Sequence, residues 1–125
     1  MMNIEQVRAL FLALPHVEEC TPFVNCGSND VAYKVGGKMF GLLSVEGDDR
    51  VALKCEPEYA LELRERYPEV VQPAFHFNKK HWNQIHYGSR LVTPALMGSL
   101  VEHAYQETAK GLTQKLRASL GIIFN

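Results

Sequence analysis

VAYKVGGKMFGLLSV, residues 31–45, reads as a β-hairpin, and the rest of the chain is placed around it. Residues 31–35 and 38–45 are the clearest strand segments. Gly36 and Gly37 between them form a two-residue turn, because glycine adopts the positive φ that such turns require. This register sets Tyr33 opposite Phe40 and Val31 opposite Leu42 on one side, with Lys34 and Met39 projecting to the other. The polar connection EGDDR (46–50) then leads to a short strand at 51–54. The result is a three-stranded meander.

Upstream, Ile4, Val7, Leu10, Phe11 and Leu14 recur at helical spacing, so 4–14 is expected to be helical. Asn3 and Gln6 have the spacing of a capping box, and Pro15 stops the helix. Residues 16–24 have weak strand character, broken by Pro22, and 25–30 form a turn-rich loop. Downstream, Pro57 suits the first turn of a second helix. Tyr59, Leu63 and Tyr67 form its inner stripe with Ala60, Glu62 can pair with Arg66, and Pro68 ends it. Glu58, Glu62, Glu65 and Glu69 make its outer face acidic.

Residues 70–77 read as extended, with Pro73 arguing for a sheet edge. Residues 78–80 form a turn and 81–87 a strand. Trp82, Gln84 and His86 share one face of that strand, and His81, Asn83, Ile85 and Tyr87 share the other. Neither face is apolar, so periodicity leaves open which is buried. Thr93-Pro94 caps a helix that runs through Met97, Leu100, Val101, Ala104 and Thr108 to about residue 110. Gly111 is a natural stop. Leu112, Leu116 and Leu120 allow a further short helix in a C-terminal extension, 112–125. The order helix–three strands–helix–two strands–helix implies one α+β domain over 1–125: a two-layer sandwich, its sheet largely antiparallel, with helices on one face.

The chain has 125 residues, 46% hydrophobic and 22% charged, the composition of a folded globular domain. No apolar run approaches a membrane span and no export signal is visible, so a cytoplasmic location is expected. Cys20, Cys26 and Cys55 lack CxxC spacing, which favours reduced thiols over a disulfide frame or a zinc site. The formal net charge is −1. Any nucleic-acid role must therefore rest on a local patch.

Such a patch is present in FHFNKKHWNQIHYGSR (75–90), which holds the single tryptophan, Trp82, three of the five histidines and adjacent lysines. No Asp or Glu occurs between Glu69 and Glu102. The ordinary alternative is a strand and turn whose aromatics are core and whose lysines are solvated. The chain has no GxxxxGK[ST], GxGxxG or HExxH motif. His76, His81 and His86 are spaced five apart, which alternates faces on a strand and disfavours a metal site. The cysteines have no local nucleophile signature. No cofactor is expected, and a non-enzymatic protein is the expectation. A pocket using His76, His81 and Tyr87 is the small-molecule alternative.

AYKVGGKMFGLL (32–43), VALKCEPEYALELRERYP (51–68) and PAFHFNKKHW (73–82), taken together, resemble the MmcQ/YjbR-like family of small bacterial proteins. The shared features are a KxGGKxF hairpin, an LKxxPE helix start, an RYP helix end and an NKxHW turn, across roughly residues 1–110. The resemblance implies a fold like that of type III secretion chaperones and DNA binding through two hairpin wings. Carried onto this chain, Lys34, Gly36, Gly37 and Lys38 make one wing. Asn78, Lys79, Lys80, His81 and Trp82 make the other, with Lys54 on the strand between. The expected partner is DNA, held by its phosphates. A protein partner or a homodimer is the alternative that the chaperone-like fold implies.

Overall fold

A computed structural model describes residues 1–21, 30–45, 47, 49–74 and 77–121. Its elements are α1 (Ile4–Leu12), β1 (Glu18–Cys20), β2 (Val31–Val35), β3 (Lys38–Leu43), β4 (Arg50–Lys54), α2 (Pro57–Arg66), β5 (Val71–Pro73), β6 (Trp82–His86), α3 (Pro94–Ala109) and α4 (Gln114–Ser119). The strands form one antiparallel sheet in the order β1-β2-β3-β4-β6-β5. The expected α+β sandwich is therefore present, with one strand more than anticipated. That strand, β1, spans only three residues of the weak 16–24 segment. The expected loop at 25–30, and Cys26 with it, falls almost wholly outside the described residues. Cys20 and Cys55 are free thiols.

Local chemistry accounts for the helix ends. Asn3 and Gln6 form the reciprocal capping box, each side chain bonded to the other's backbone N–H at 2.9 Å. Glu56 caps α2 with Pro57 just inside, and Thr93 caps α3 with Pro94 just inside. The glycine pair turns the β2–β3 hairpin with φ of 58° at Gly36 and 81° at Gly37.

One expected pairing is corrected. Val35 lies opposite Lys38 and Lys34 opposite Met39, as anticipated, but Tyr33 then faces Gly41 rather than Phe40, and Val31 faces Leu43. Phe40 is the extra residue of a β-bulge. The bulge lets two consecutive residues serve the helix-facing side. Phe40 packs against Phe11 and Tyr105, with ring centroids 5.6 Å away in each case. Gly41 leaves room for the Phe11 ring, which stacks on Tyr33 at 4.0 Å.

The core lies between this side and α1, α2 and α3, through Val7, Phe11, Leu43, Val51, Leu53, Leu63, Ile85, Met97 and Val101. Tyr105 ties the α1–β1 connection to α3 by donating its hydroxyl to the Pro15 carbonyl at 2.8 Å.

Polar contacts also dock α1. Arg8 donates to both oxygens of Glu19, at 2.8 and 3.0 Å, and the Tyr33 hydroxyl donates to the same carboxylate at 2.8 Å. The Arg8 guanidinium holds the Glu19 carboxyl below its usual 4.5. A depressed carboxyl stabilises the fold while it is ionised. Its contribution is thus complete at neutral pH and is lost as pH falls from about 4.5 through the lowered value. In melting scans from pH 7 to 3, the parent is expected to lose more stability than Glu19→Gln over that acid window. Parallel curves would show that the contact contributes nothing.

Candidate nucleic-acid interface

The sheet register decides where the two predicted wings lie. β3 begins directly after the Gly36–Gly37 turn. Its Gly41 pairs with Leu53, near the end of β4, and Lys54 pairs with Trp82, the first residue of β6. The turn before Trp82 therefore leaves the sheet at the same end as the hairpin turn. Only β4 separates β3 from β6, so the two are about 10 Å apart at the usual strand spacing. The connection from β3 to β4 and the turn after β6 lie at the opposite end.

The two faces differ. Val51, Leu53, Asn83 and Ile85 point toward the helices, while Lys54, Trp82, Gln84 and His86 alternate onto the open face. Lys34 shares that open face, and β2 through β6 contain no Asp or Glu. Glu18 of β1 lies opposite Lys34 in register. Asp30 apart, the described carboxylates form no ion pair with Lys34, Lys38, Lys54, Lys79 or Lys80.

The first wing is divided. Lys34 is half-buried on the open face, whereas Lys38 lies opposite Val35 on the helix side and donates to the Gly111 carbonyl at 3.3 Å. The two lysines thus do not share a face. The segment after α3 also covers the turn, since a Cβ on Gly36 would lie 2.7 Å from Leu112 Cδ1 and 3.3 Å from Leu116 Cδ2. Gly37 stays open, with nothing within 4 Å of the same position.

The second wing is a tight turn. Asn78 accepts the Lys80 N–H on its side-chain oxygen at 2.9 Å, and its backbone carbonyl accepts the His81 N–H at 3.1 Å. Its side-chain oxygen shapes the turn, and only its amide nitrogen is left for a phosphate. Lys79 and Lys80 are exposed and His81 is half-buried. Trp82 takes the ordinary packing role rather than the one that the resemblance implies. It is 7% exposed, its ring stacks on Phe77 at 4.5 Å, and the Lys54 ammonium lies 5.6 Å from its centroid. It packs the base of the turn, so its ring is not presented to a base.

The residue that holds this turn in place is Arg64 of α2, which was not singled out in the sequence. Its Nε donates to Asn83 Oδ1 at 2.6 Å, and its terminal nitrogen donates to the carbonyls of Lys79 and Trp82. Asn83, 1% exposed, in turn donates to the Ala60 carbonyl at 3.3 Å. Ala60, Leu63 and Arg64 are spaced i, i+3, i+4, the inner stripe of α2. An arginine on that stripe was the available signal.

The other expectations for the site separate. His81 and Tyr87 stand at opposite ends of β6, and Tyr87 is 1% exposed, so the two do not line one pocket. His76 lies outside the described residues. Among the described residues no group of His, Cys, Asp and Glu could hold a metal. Burial pushes the Cys55 thiol up to about 12, which makes it a poor nucleophile. No described helix is long and apolar enough to cross a membrane.

Comparison with known proteins agrees with this architecture. Protein DR2400 of Deinococcus radiodurans, with domain DUF419, superposes with a TM-score of 0.87 at 32% identity, over 98% of this chain and 91% of its own. A Pseudomonas syringae protein shares the fold, with a TM-score of 0.69 at 21% identity over 86% of this chain and 99% of its own. The uncharacterized protein YbdF of Escherichia coli O157:H7 is 34% identical over 112 residues, 89% of this chain and 88% of that protein. The YjbR family profile matches residues 12–107. The chain belongs to the YjbR family.

Proposed function

We propose that this protein binds the phosphate backbone of duplex DNA at the end of the sheet that carries both turns. The observation that carries this reading is the placement of two exposed lysines, Lys79 and Lys80, on a hydrogen-bonded turn beside an acid-free stretch of open sheet face. Lys54 and Lys34 lie on that face. Lysines that neutralise phosphates release condensed counterions, a driving force available to a protein of near-zero net charge when the cations are local. Lys38 contributes less, because it is engaged with the Gly111 carbonyl. With Trp82 packed under Phe77, base stacking is not the source of affinity, which favours a duplex backbone over a single strand.

About three phosphate contacts give a slope near −3 in log affinity against log salt. The test is duplex binding by fluorescence anisotropy at several salt concentrations, for the parent and for Lys79→Glu/Lys80→Glu. The double variant is expected to abolish binding. Its melting temperature should stay close to the parent's, because exposed lysines without an ion pair among the described residues contribute within about 0.5 kcal/mol. Undiminished binding by the variant, or a parent affinity insensitive to salt, would end the proposal.

A further inference from the structure

On the helix side, beyond the end of β4, a cleft of about 430 Å³ opens between the start of α2 and the C-terminal half of α3. Glu56, Tyr59, His103, Gln106, Glu107 and Lys110 line it. The Tyr59 and His103 rings meet edge to face at 4.8 Å and form an aromatic wall. His103 Nε2 accepts the Glu56 backbone N–H at 3.2 Å. A backbone N–H can only donate, so Nε2 is unprotonated and the imidazole is neutral. Burial, which lowers the His103 pKa, acts in the same direction.

The carboxylates are set differently. Both Glu56 oxygens accept N–H groups at the α2 N-terminus, from Glu58 at 3.1 Å and Tyr59 at 3.0 Å, which fixes the group and keeps it ionised. The Glu107 side chain is only 9% exposed, and its ion-pair partner among the described residues is Lys110, which is 59% exposed. A carboxylate offers about four acceptor sites. One surface ammonium leaves part of that capacity free for a ligand nitrogen. With the imidazole neutral, two carboxylates stand against one ammonium, a net charge of −1.

We infer that this cleft binds a small primary alkylammonium. The ligand nitrogen takes the place of the Lys110 ammonium at Glu107, within reach of Glu56, and its apolar chain lies against Tyr59 and His103. Aromatic walls beside carboxylates favour an organic cation on two grounds, cation–π attraction and charge balance. The inference is independent of the DNA proposal, since the cleft shares no residue with the turns.

The test is a titration of the intact protein with n-butylammonium chloride at fixed ionic strength, followed by NMR shifts of the Tyr59 and His103 rings. Sodium butyrate and n-butanol are the controls. Saturable shifts with butylammonium alone are expected, in the millimolar range. Lys110→Ala should tighten binding about fivefold, because it removes the internal competitor. Glu107→Gln should abolish it. Weaker binding by Lys110→Ala, preference for butyrate, or equal response to all three probes would overturn the assignment. Since Lys110 is exposed, its variant keeps the test decisive even if Glu107→Gln fails to fold.

Discussion

Gly41→Ala is expected to destabilise the protein by about 2 kcal/mol and Gly41→Val by about 4 kcal/mol or more. A Cβ at this position would lie 2.5 Å from Phe11 Cε1 and 2.6 Å from Cζ. The ring cannot swing aside. Phe11 is fully buried, stacked on Tyr33 and set against Phe40, both of which are also fully buried. A methyl group therefore pushes on a rigid aromatic cluster, and α1 moves with it. The strand gains a little from losing glycine, less than about 1 kcal/mol, which does not offset the overlap. Urea unfolding measures the change, with the slope unchanged if only the native state is strained. Phe11→Leu separates this cause from a general intolerance of β3. It should cost the parent more than it costs Gly41→Ala, where the smaller side chain relieves the clash. Equal costs in both backgrounds would mean that Phe11 and Gly41 are not coupled.

The same pair shows how far the fold could be read from residues alone. The first helix (observed as Ile4–Leu12, two residues shorter than expected), the hairpin turn and the edge position of Val71–Pro73 followed from spacing, caps, glycine pairs and proline, which act locally. The bulge at Phe40 did not follow, because its cause is tertiary. The register shifts by one residue so that Phe40 and Gly41 both face α1 and α3. The short β1 was legible only as weak strand character over 16–24, since Glu18 and Glu19 are poor strand formers. Its place is set by pairing with β2 and by the Arg8–Glu19 contact.

For the site, the turn at 78–80 and its lysines were legible. The division of Lys34 from Lys38, and the cover that Leu112 gives Gly36, were not, because both depend on where the chain returns after α3. Trp82 was ambiguous for a physical reason. An aromatic ring beside lysines has the same sequence signature whether it meets a base or packs against Phe77.

Arg64→Ala is expected to cost about 3 kcal/mol and to loosen the turn that carries Lys79 and Lys80. Hydrogen bonds from a charged donor contribute about 1.5–3 kcal/mol each, and an orphaned buried acceptor costs a further 1–3 kcal/mol. Here the orphan is Asn83 Oδ1, on a side chain that is 1% exposed. The Lys79 carbonyl is near the surface and can be hydrated, so its loss adds little. Asn83→Leu in the Arg64→Ala background removes the orphan, and the double variant should recover part of the loss in urea unfolding. Full additivity of the two substitutions would mean that the guanidinium does not act through Asn83.

Dynamics carry the consequence to function. With its anchor gone, the turn keeps the Asn78 contacts and the Cys55 N–H bond to the His81 carbonyl, and the Lys80 and His81 amides should exchange with solvent about tenfold faster or more, the change that ~1.4 kcal/mol of local stability gives. Duplex affinity should fall although both lysines remain, with the salt slope unaltered, because the number of phosphate contacts is the same and only their pre-organisation is lost. Unaltered amide exchange in Arg64→Ala would show that α2 does not brace the turn.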